Sequence, residues 1–158
     1  MTPAEIIEVL GQHAGTAPAA VAEGLHPHVV VPPDRLVAVA ELLKTDEWLR
    51  FDLLRCISAV DWPDKGVIEL SYELLSTVLG HAFAVKVLLD RANPQVESLC
   101  GVWPAAEWHE REAFDLMGVM FLHHPDLRRI LLPEDWMGHP LRKDYQYPGV
   151  YKGLQLPS

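Results

Sequence analysis

Only two cysteines, Cys56 and Cys100, occur among the 158 residues, and they form no CxxC pair. Iron-sulfur clusters usually take four thiolates, and a structural zinc takes four Cys or His ligands, so the chain alone cannot hold a cluster in the usual way. Both cysteines sit among apolar neighbours (Leu53-Leu54-Arg55-Cys56-Ile57; Leu99-Cys100-Gly101-Val102) and read as small buried hydrophobes, with nothing to support a disulfide. No apolar run approaches the roughly 18 residues that a membrane span needs. The patterns GxGxxG, GxxxxGK and GxSxG are missing, which leaves no recognisable nucleotide cradle and no serine nucleophile. Positive charge is scarce as well. Lys and Arg total 13 against 22 Asp and Glu, and the net charge of -9 opposes a nucleic-acid backbone or an anionic membrane surface. The start carries Glu5 and Glu8 and no positive n-region, so no signal peptide is expected.

What is present fits one domain with an appendage. Thr2-Pro3-Ala4-Glu5 has the form of a capping box with proline at the first helical position, and Ile6, Ile7, Val9 and Leu10 supply an apolar stripe. A helix is expected from Pro3 to His13. Gly15 to Gly24 is Ala-rich, is broken by Pro18 and reads as a connection. His28 to Val31 is a β-branched run stopped by Pro32-Pro33, and helical spacing returns from Asp34 to Thr45. Strands are expected over Phe51 to Val60, Val67 to Leu75 and His81 to Leu89. Their connections suit hairpins and are too short for parallel crossovers, which makes an antiparallel meander. Pro104 is expected in the first turn of a helix that runs to Met117 and closes at Gly118. The fold class over residues 1–122 is therefore α+β.

Beyond Leu122 the pattern changes. Residues 123–158 contain five prolines and three glycines, which rule out a long helix and disfavour central strands. The same stretch holds Leu127, Ile130, Leu131, Leu132, Trp136, Met137, Leu141, Tyr145, Tyr147 and Tyr151, too much apolar surface for a solvated tail. An extended C-terminal arm, its apolar side chains covered by something else, reconciles the two. Charge divides at the same point: residues 1–122 carry 18 acidic and 8 basic side chains, and residues 123–158 carry 4 and 5.

The titratable residues do not assemble into an obvious catalyst. His109, His123, His124 and His139, with Asp126 and Asp135, contain the residue types that bind zinc or non-haem iron, but HExxH and related spacings are missing. A histidine before proline, as in His124-Pro125 and His139-Pro140, is better read as hydrogen-bonding the backbone of a tight turn. Each of these turns is followed by a basic pair, Arg128-Arg129 and Arg142-Lys143, which suggests repeated anchoring. Glu107, Arg111 and Asp115 recur at i,i+4 along the helix, and with Glu110 they suggest an ion network centred on Arg111.

Three motifs carry a further signal. Trp108-His109-Glu110-Arg111-Glu112-Ala113-Phe114-Asp115-Leu116-Met117-Gly118, then His124-Pro125-Asp126-Leu127-Arg128-Arg129-Ile130-Leu131, then Gly138-His139-Pro140-Leu141-Arg142-Lys143-Asp144-Tyr145, resemble the signature of the 30-kDa (C) subunit of the proton-pumping NADH-quinone oxidoreductase, respiratory complex I. The likeness is nearly continuous over residues 103–148 and thinner upstream, where Ile57-Ser58-Ala59-Val60-Asp61-Trp62 belongs to it. Gln146-Tyr147 before Pro148 depart from the common family pattern. The resemblance implies a subunit without a catalytic site, metal or cofactor of its own, lying in the hydrophilic arm near the membrane on its cytoplasmic side. Iron-sulfur clusters, FMN and quinone would then belong to partner subunits. It further implies that Trp108, Glu110, Arg111, Glu112 and Asp115, with His124, Asp126, Arg128, Arg129, Trp136, His139, Leu141, Arg142, Lys143, Asp144 and Tyr145, form the surface packed on the quinone-site (D) and cluster-bearing (B) subunits. Similar subunits occur in membrane-bound hydrogenases, formate hydrogenlyases and ferredoxin-fed complexes. A metal-dependent enzyme built on the histidines is the competing reading of the residues.

Overall fold

The computed structural model describes residues 2–14, 19–21 and 26–156. Helix α1 spans Pro3–Ala14 and opens on the expected capping box, with Thr2 N donating to the Glu5 carboxylate at 2.7 Å and Glu5 N to Thr2 Oγ1 at 3.4 Å. Helix α2 spans Leu36–Thr45 after a short 3-10 turn at Pro33–Arg35. Ile6 and Leu10 of α1, and Leu36, Val39 and Leu43 of α2, are buried.

The expected meander is present as β3 (Leu53–Trp62), β4 (Val67–Leu75) and β5 (Ala82–Asp90), paired antiparallel in that order. Period-two alternation decides which face is buried. Ile68, Leu70, Tyr72 and Leu74 of β4 oppose Leu89, Val87, Val85 and Phe83 of β5, and all eight are buried. Burying each large apolar side chain contributes about 1.5–3 kcal/mol. A register shift between Leu54 and Cys56 sets Arg55 in a bulge and brings Leu54 and Ile57 onto the same inner face.

Two expectations are corrected here, and one feature is added. The sheet is mixed, because β2 (His28–Val30) runs parallel to β5, and α2, β3 and β4 form the long crossover that such pairing needs. The stretch read as a connection contains β1 (Ala19–Val21), antiparallel to β2, giving the order β1-β2-β5-β4-β3; residues 15–18 and 22–25 lie outside the described ones. A parallel pair, β6 (Gln95–Glu97) with β7 (Met120–Leu122), was not anticipated, since three residues are too few to show periodicity.

Helix α3 spans Ala106–Met117, starting two residues later than Pro104. Ala106 N donates to Trp103 O and Glu107 N to Pro104 O, so Pro104 and Ala105 form the tight turn that leads into the helix. The helix packs along β3 on the core side of the sheet. Among the described residues, every buried hydrophobic side chain lies between Ile6 and Phe121. The segment after β7 runs without regular structure until a hairpin, β8 (Val150–Tyr151) with β9 (Leu154–Gln155), a two-stranded sheet of its own that leaves the arm without a long helix or a central strand. Lys152 and Gly153, both at positive φ, form its two-residue turn. Among the described residues no helix is long and apolar enough to cross a membrane.

Candidate partner interface

The end of α3 decides where the arm goes. A helix leaves its last carbonyls without partners, and here the Gly118 cap and the arm supply them. Phe114 O accepts from Gly118 N, Asp115 O from Arg129 Nη1 at 3.2 Å with the His139 Nδ1 at 2.9 Å, Leu116 O from Leu141 N at 3.1 Å and Met117 O from Arg142 Nε at 2.8 Å. Two of these donors are cationic, which also suits the negative end of the helix dipole. Gly118 takes φ 73°, and a Cβ there would sit 2.5 Å from His139 Cδ2, so glycine is required twice, for the turn and for the histidine.

The Asp115 side chain is fully buried and organises the other side of the same seam. Its Oδ2 accepts from the backbone N–H of Ile130, Leu131 and Leu132 at 2.8–3.0 Å, and its Oδ1 accepts from Arg129 Nη1 at 2.6 Å. Burial by itself would raise the carboxyl pKa. The N–H of Leu132, the Arg129 guanidinium and the N–H of Leu131 and Ile130 outweigh it and hold the pKa below its ordinary value. Arg129 goes on to donate to Trp136 O at 2.9 Å and Gly138 O at 3.1 Å, folding the arm around one guanidinium.

A second anchor joins the arm to the sheet. Asp61, buried on β3, accepts from Arg91 Nε at 2.6 Å, Arg91 Nη2 at 3.0 Å and Lys143 N at 2.9 Å. Arg91 also donates to Asp144 at 2.7 Å, and Arg142 reaches Arg91 O at 3.4 Å. The bond to Arg91 holds the Asp61 carboxyl below the usual range. Asp61 lies in a stretch that the family resemblance includes, whereas nothing in the sequence marked Arg91.

Glu110 occupies a third position, at the start of the arm. It is buried, accepting from Leu99 N at 2.7 Å and Ser98 Oγ at 2.6 Å. Burial raises its pKa in spite of those bonds. The His124 ring bridges backbone as expected of a His-Pro turn: Asp126 N donates to Nδ1 at 3.0 Å, which leaves the proton on Nε2 to donate to Glu107 O at 3.1 Å. His124, Glu110 and Cys100 bring potential ligand atoms within 4.8 Å of one another, a grouping the sequence did not suggest. Both imidazole nitrogens and both Glu110 oxygens are already hydrogen-bonded, and burial pushes the Cys100 thiol up to about 11, so a metal would have to displace each of these bonds. His109, His123, His139, Asp126 and Asp135 do not join this cluster. Cys56 and Cys100 are free and partly exposed, rather than fully buried hydrophobes.

The expected ion network around Arg111 is absent. Arg111 donates to the carbonyls of Arg128 and Arg129 at 3.2 and 3.3 Å and lies 5.1 Å from the Trp108 ring centre, while Asp115 takes Arg129 as its partner. Glu110, Arg111 and Asp115 are buried within the chain; Arg111 and Asp115 hold the arm, and Glu110 holds residues 98–100. Arg129 and Arg142, expected to find acceptors on a neighbour, find them here. The side chains that remain at the surface are Trp108 and Glu112 on α3, and Asp126, Arg128, Leu141, Lys143 and Asp144 on the arm; His124, Trp136, His139 and Tyr145 are half-buried. Trp136 stacks against Tyr151 and Tyr147 at 5.0 and 6.5 Å, and Tyr145 hydrogen-bonds Met137 O at 2.9 Å.

The chain matches the family described as "Respiratory-chain NADH dehydrogenase, 30 Kd subunit" over residues 29–151. It belongs to that 30 kDa subunit family. Relatives named as the C subunit of NADH-quinone oxidoreductase include one from Moorella thermoacetica, 52% identical over 76% of this chain and 80% of that protein. Another, from Chloroherpeton thalassium, is 44% identical over 78% of this chain, which spans about half of that protein's length (52%). Among solved structures, a chain of an archaeal membrane-bound sulfane sulfur reductase superposes with a TM-score of 0.76 at 29% identity, covering 92% of this chain and 86% of its own. A trypsin-resistant fragment of Nqo5 superposes at 0.64 with 27% identity, covering 79% and 99%.

Proposed function

We propose that this 30 kDa family member is a non-catalytic docking subunit in the hydrophilic arm of a proton-pumping NADH-quinone oxidoreductase of the complex I type. The observation that carries the reading is the inverted polarity of the arm. Arg129, His139, Arg142 and the backbone N–H groups of residues 130–132, 141 and 143 are bonded to the body, while Leu131, Met137, Leu141, Tyr147, Val150 and Leu154 face outward, Met137 with 78% of its surface exposed. Natural surfaces rarely line up so many large apolar side chains unless a partner covers them. The body thus serves as a template that fixes the arm in shape before it meets a partner, which lowers the ordering cost of binding.

On this reading the quinone-site (D) and cluster-bearing (B) subunits cover the arm, together with Trp108 and Glu112. Iron-sulfur clusters, FMN and quinone are held by other subunits, and the chain itself carries no active site. The assembly sits at the cytoplasmic face of the membrane, to which this chain is attached through its partners. Affinity purification of the tagged chain from its native host tests this directly. Recovery of cluster-bearing and quinone-site subunits is expected; recovery of the chain alone, or with an equivalent of tightly bound metal and hydrolytic activity, would overturn it.

A second reading has a specific support. The similarity to a chain of the membrane-bound sulfane sulfur reductase extends over 92% of this chain, so an equivalent place in a related membrane complex with a different electron donor fits the same arm. The flavin and NADH-oxidising subunits would be missing from the purified assembly in that case.

A further inference from the structure

We infer that the outer edge of β3 takes an additional strand from a partner, an extended segment carrying a cationic side chain opposite Glu112. The inference rests on the docking reading above and assigns a further contact, along the sheet edge beside the arm, which shares Leu141 and Glu112 with the surface described there.

Strand β3 is ten residues long and stands at the end of the sheet order, so one of its sides has no strand partner among the described residues. Long unpaired edges are usually shortened, bulged or covered, because their free N–H and C=O groups template further pairing. The bulge in β3 lies at Arg55, ahead of a regular stretch. Residues 56–59 follow the bulge, and all four line one groove of about 280 Å³. Successive side chains of a strand point to opposite faces, so a space bordered by four consecutive residues reaches their backbone as well as their side chains, and β4 already occupies the strand's other side. The opposite wall is α3, through His109, Glu112 and Leu116, and Leu141 of the arm closes one part of it.

The walls specify the occupant. Alternate free backbone groups along β3 call for an extended backbone, which is strand addition. Leu116 and Leu141 offer an apolar contact. Glu112 is exposed and has no hydrogen-bond or ion-pair partner among the described residues, so a lysine or arginine of the incoming segment completes it. A second copy of this chain fits less well, since edge-to-edge pairing would bring together two molecules each carrying -9.

Hydrogen exchange on the tagged chain, free and in the complex purified from the native host, provides the test. In the free chain the outward amides of residues 55–61 should exchange rapidly. In the complex those same amides should slow by about 100-fold or more, as for interior strands. A photo-crosslinking residue at Ser58 in the complex should capture one segment of another polypeptide that contains lysine or arginine. Glu112→Arg should weaken that cross-link about tenfold, while the variant still co-purifies through the arm. Recovery of the complex with β3 amides exchanging as in the free chain overturns strand addition and leaves the docking reading standing. Cross-links to a second copy, or to residues 1–25 of the same chain, overturn the assigned occupant. Failure to recover any complex overturns both readings together.

Discussion

Asp115 Oδ1 and Arg129 Nη1 meet at 2.6 Å across the seam between α3 and the arm, with the carboxylate wholly buried and the guanidinium nearly so. The pair fixes the arm because each partner is also saturated by backbone, Asp115 by three N–H groups and Arg129 by three carbonyls. Removing one side leaves the other buried without its counter-charge, the case in which a buried pair matters most. Asp115→Asn is therefore expected to cost about 3 kcal/mol in urea unfolding and to release the amides of Ile130, Leu131 and Leu132 to exchange.

The same carboxylate and Glu110 pull stability in opposite directions with pH. The folded pKa of Asp115 is below its ordinary 3.8, so its contribution is complete above that value and is lost as pH falls through the lowered one. The folded pKa of Glu110 is above its ordinary 4.5, so the folded chain binds a proton more readily there, and stability declines as pH rises from 4.5 toward the raised value. Unfolding titrations of Glu110→Gln should lose the decline in that upper window and keep the acid loss. Asp115→Asn should show the reverse.

Gly118 and Gly66 separate two costs that a glycine substitution combines. Both have positive φ, 73° and 65°, but a Cβ at Gly66 meets nothing within 4 Å, whereas at Gly118 it meets the His139 ring. Gly66→Ala should cost about 1 kcal/mol for the left-handed conformation alone. Gly118→Ala should cost clearly more, and it alone should alter the His139 NMR resonances, since the ring must leave Asp115 O to make room.

How much of this was legible beforehand depended on the range of the interactions. The capping box, the meander and the Gly118 stop are local or short-range patterns, and they appear where the residues put them, to within two positions. Strand β1 and the β6–β7 pair are three residues each and exist because of neighbours that the local sequence does not reveal. The helical spacing of Glu107, Arg111 and Asp115 suggested pairs along α3, yet the arm returns over the helix end and supplies Arg129 to Asp115 and carbonyls to Arg111. The His-Pro turns do use their rings to bond backbone, but only the bond from Asp126 N to His124 lies within a turn; the His139 ring reaches Asp115 O across the fold. The acceptors of Arg142 and the partnership of Asp61 with Arg91 needed the tertiary fold.

Truncation after Leu122 tests whether the arm is an addition to a complete body. All buried hydrophobic residues among those described lie before that point, so residues 1–122 should remain soluble and unfold cooperatively. Asp61, Asp115 and the carbonyls of Leu116 and Met117 would return to water, which lowers stability without opening the core. Recovery with the other subunits should be abolished. A truncated chain lacking a cooperative transition would show that the arm's polar anchors are part of what folds the domain.

Leu131 and Met137 distinguish a docking face from a structural one. Both are exposed, yet they flank the anchored Arg129: the Leu131 N–H is bonded to Asp115, and the neighbouring Trp136 and Gly138 carbonyls are bonded to Arg129. Their side chains therefore have little part in folding, and a polar replacement should change the unfolding free energy of the isolated chain by no more than about 0.5 kcal/mol. If these side chains fill pockets on neighbouring subunits, Leu131→Asp with Met137→Asp places two charges in a desolvated contact and should reduce recovery of the complex by an order of magnitude or more. Pairing the two measurements on one variant makes the outcome decisive: unchanged stability with lost assembly identifies the docking face, and unchanged assembly shows that the partner contacts the chain elsewhere.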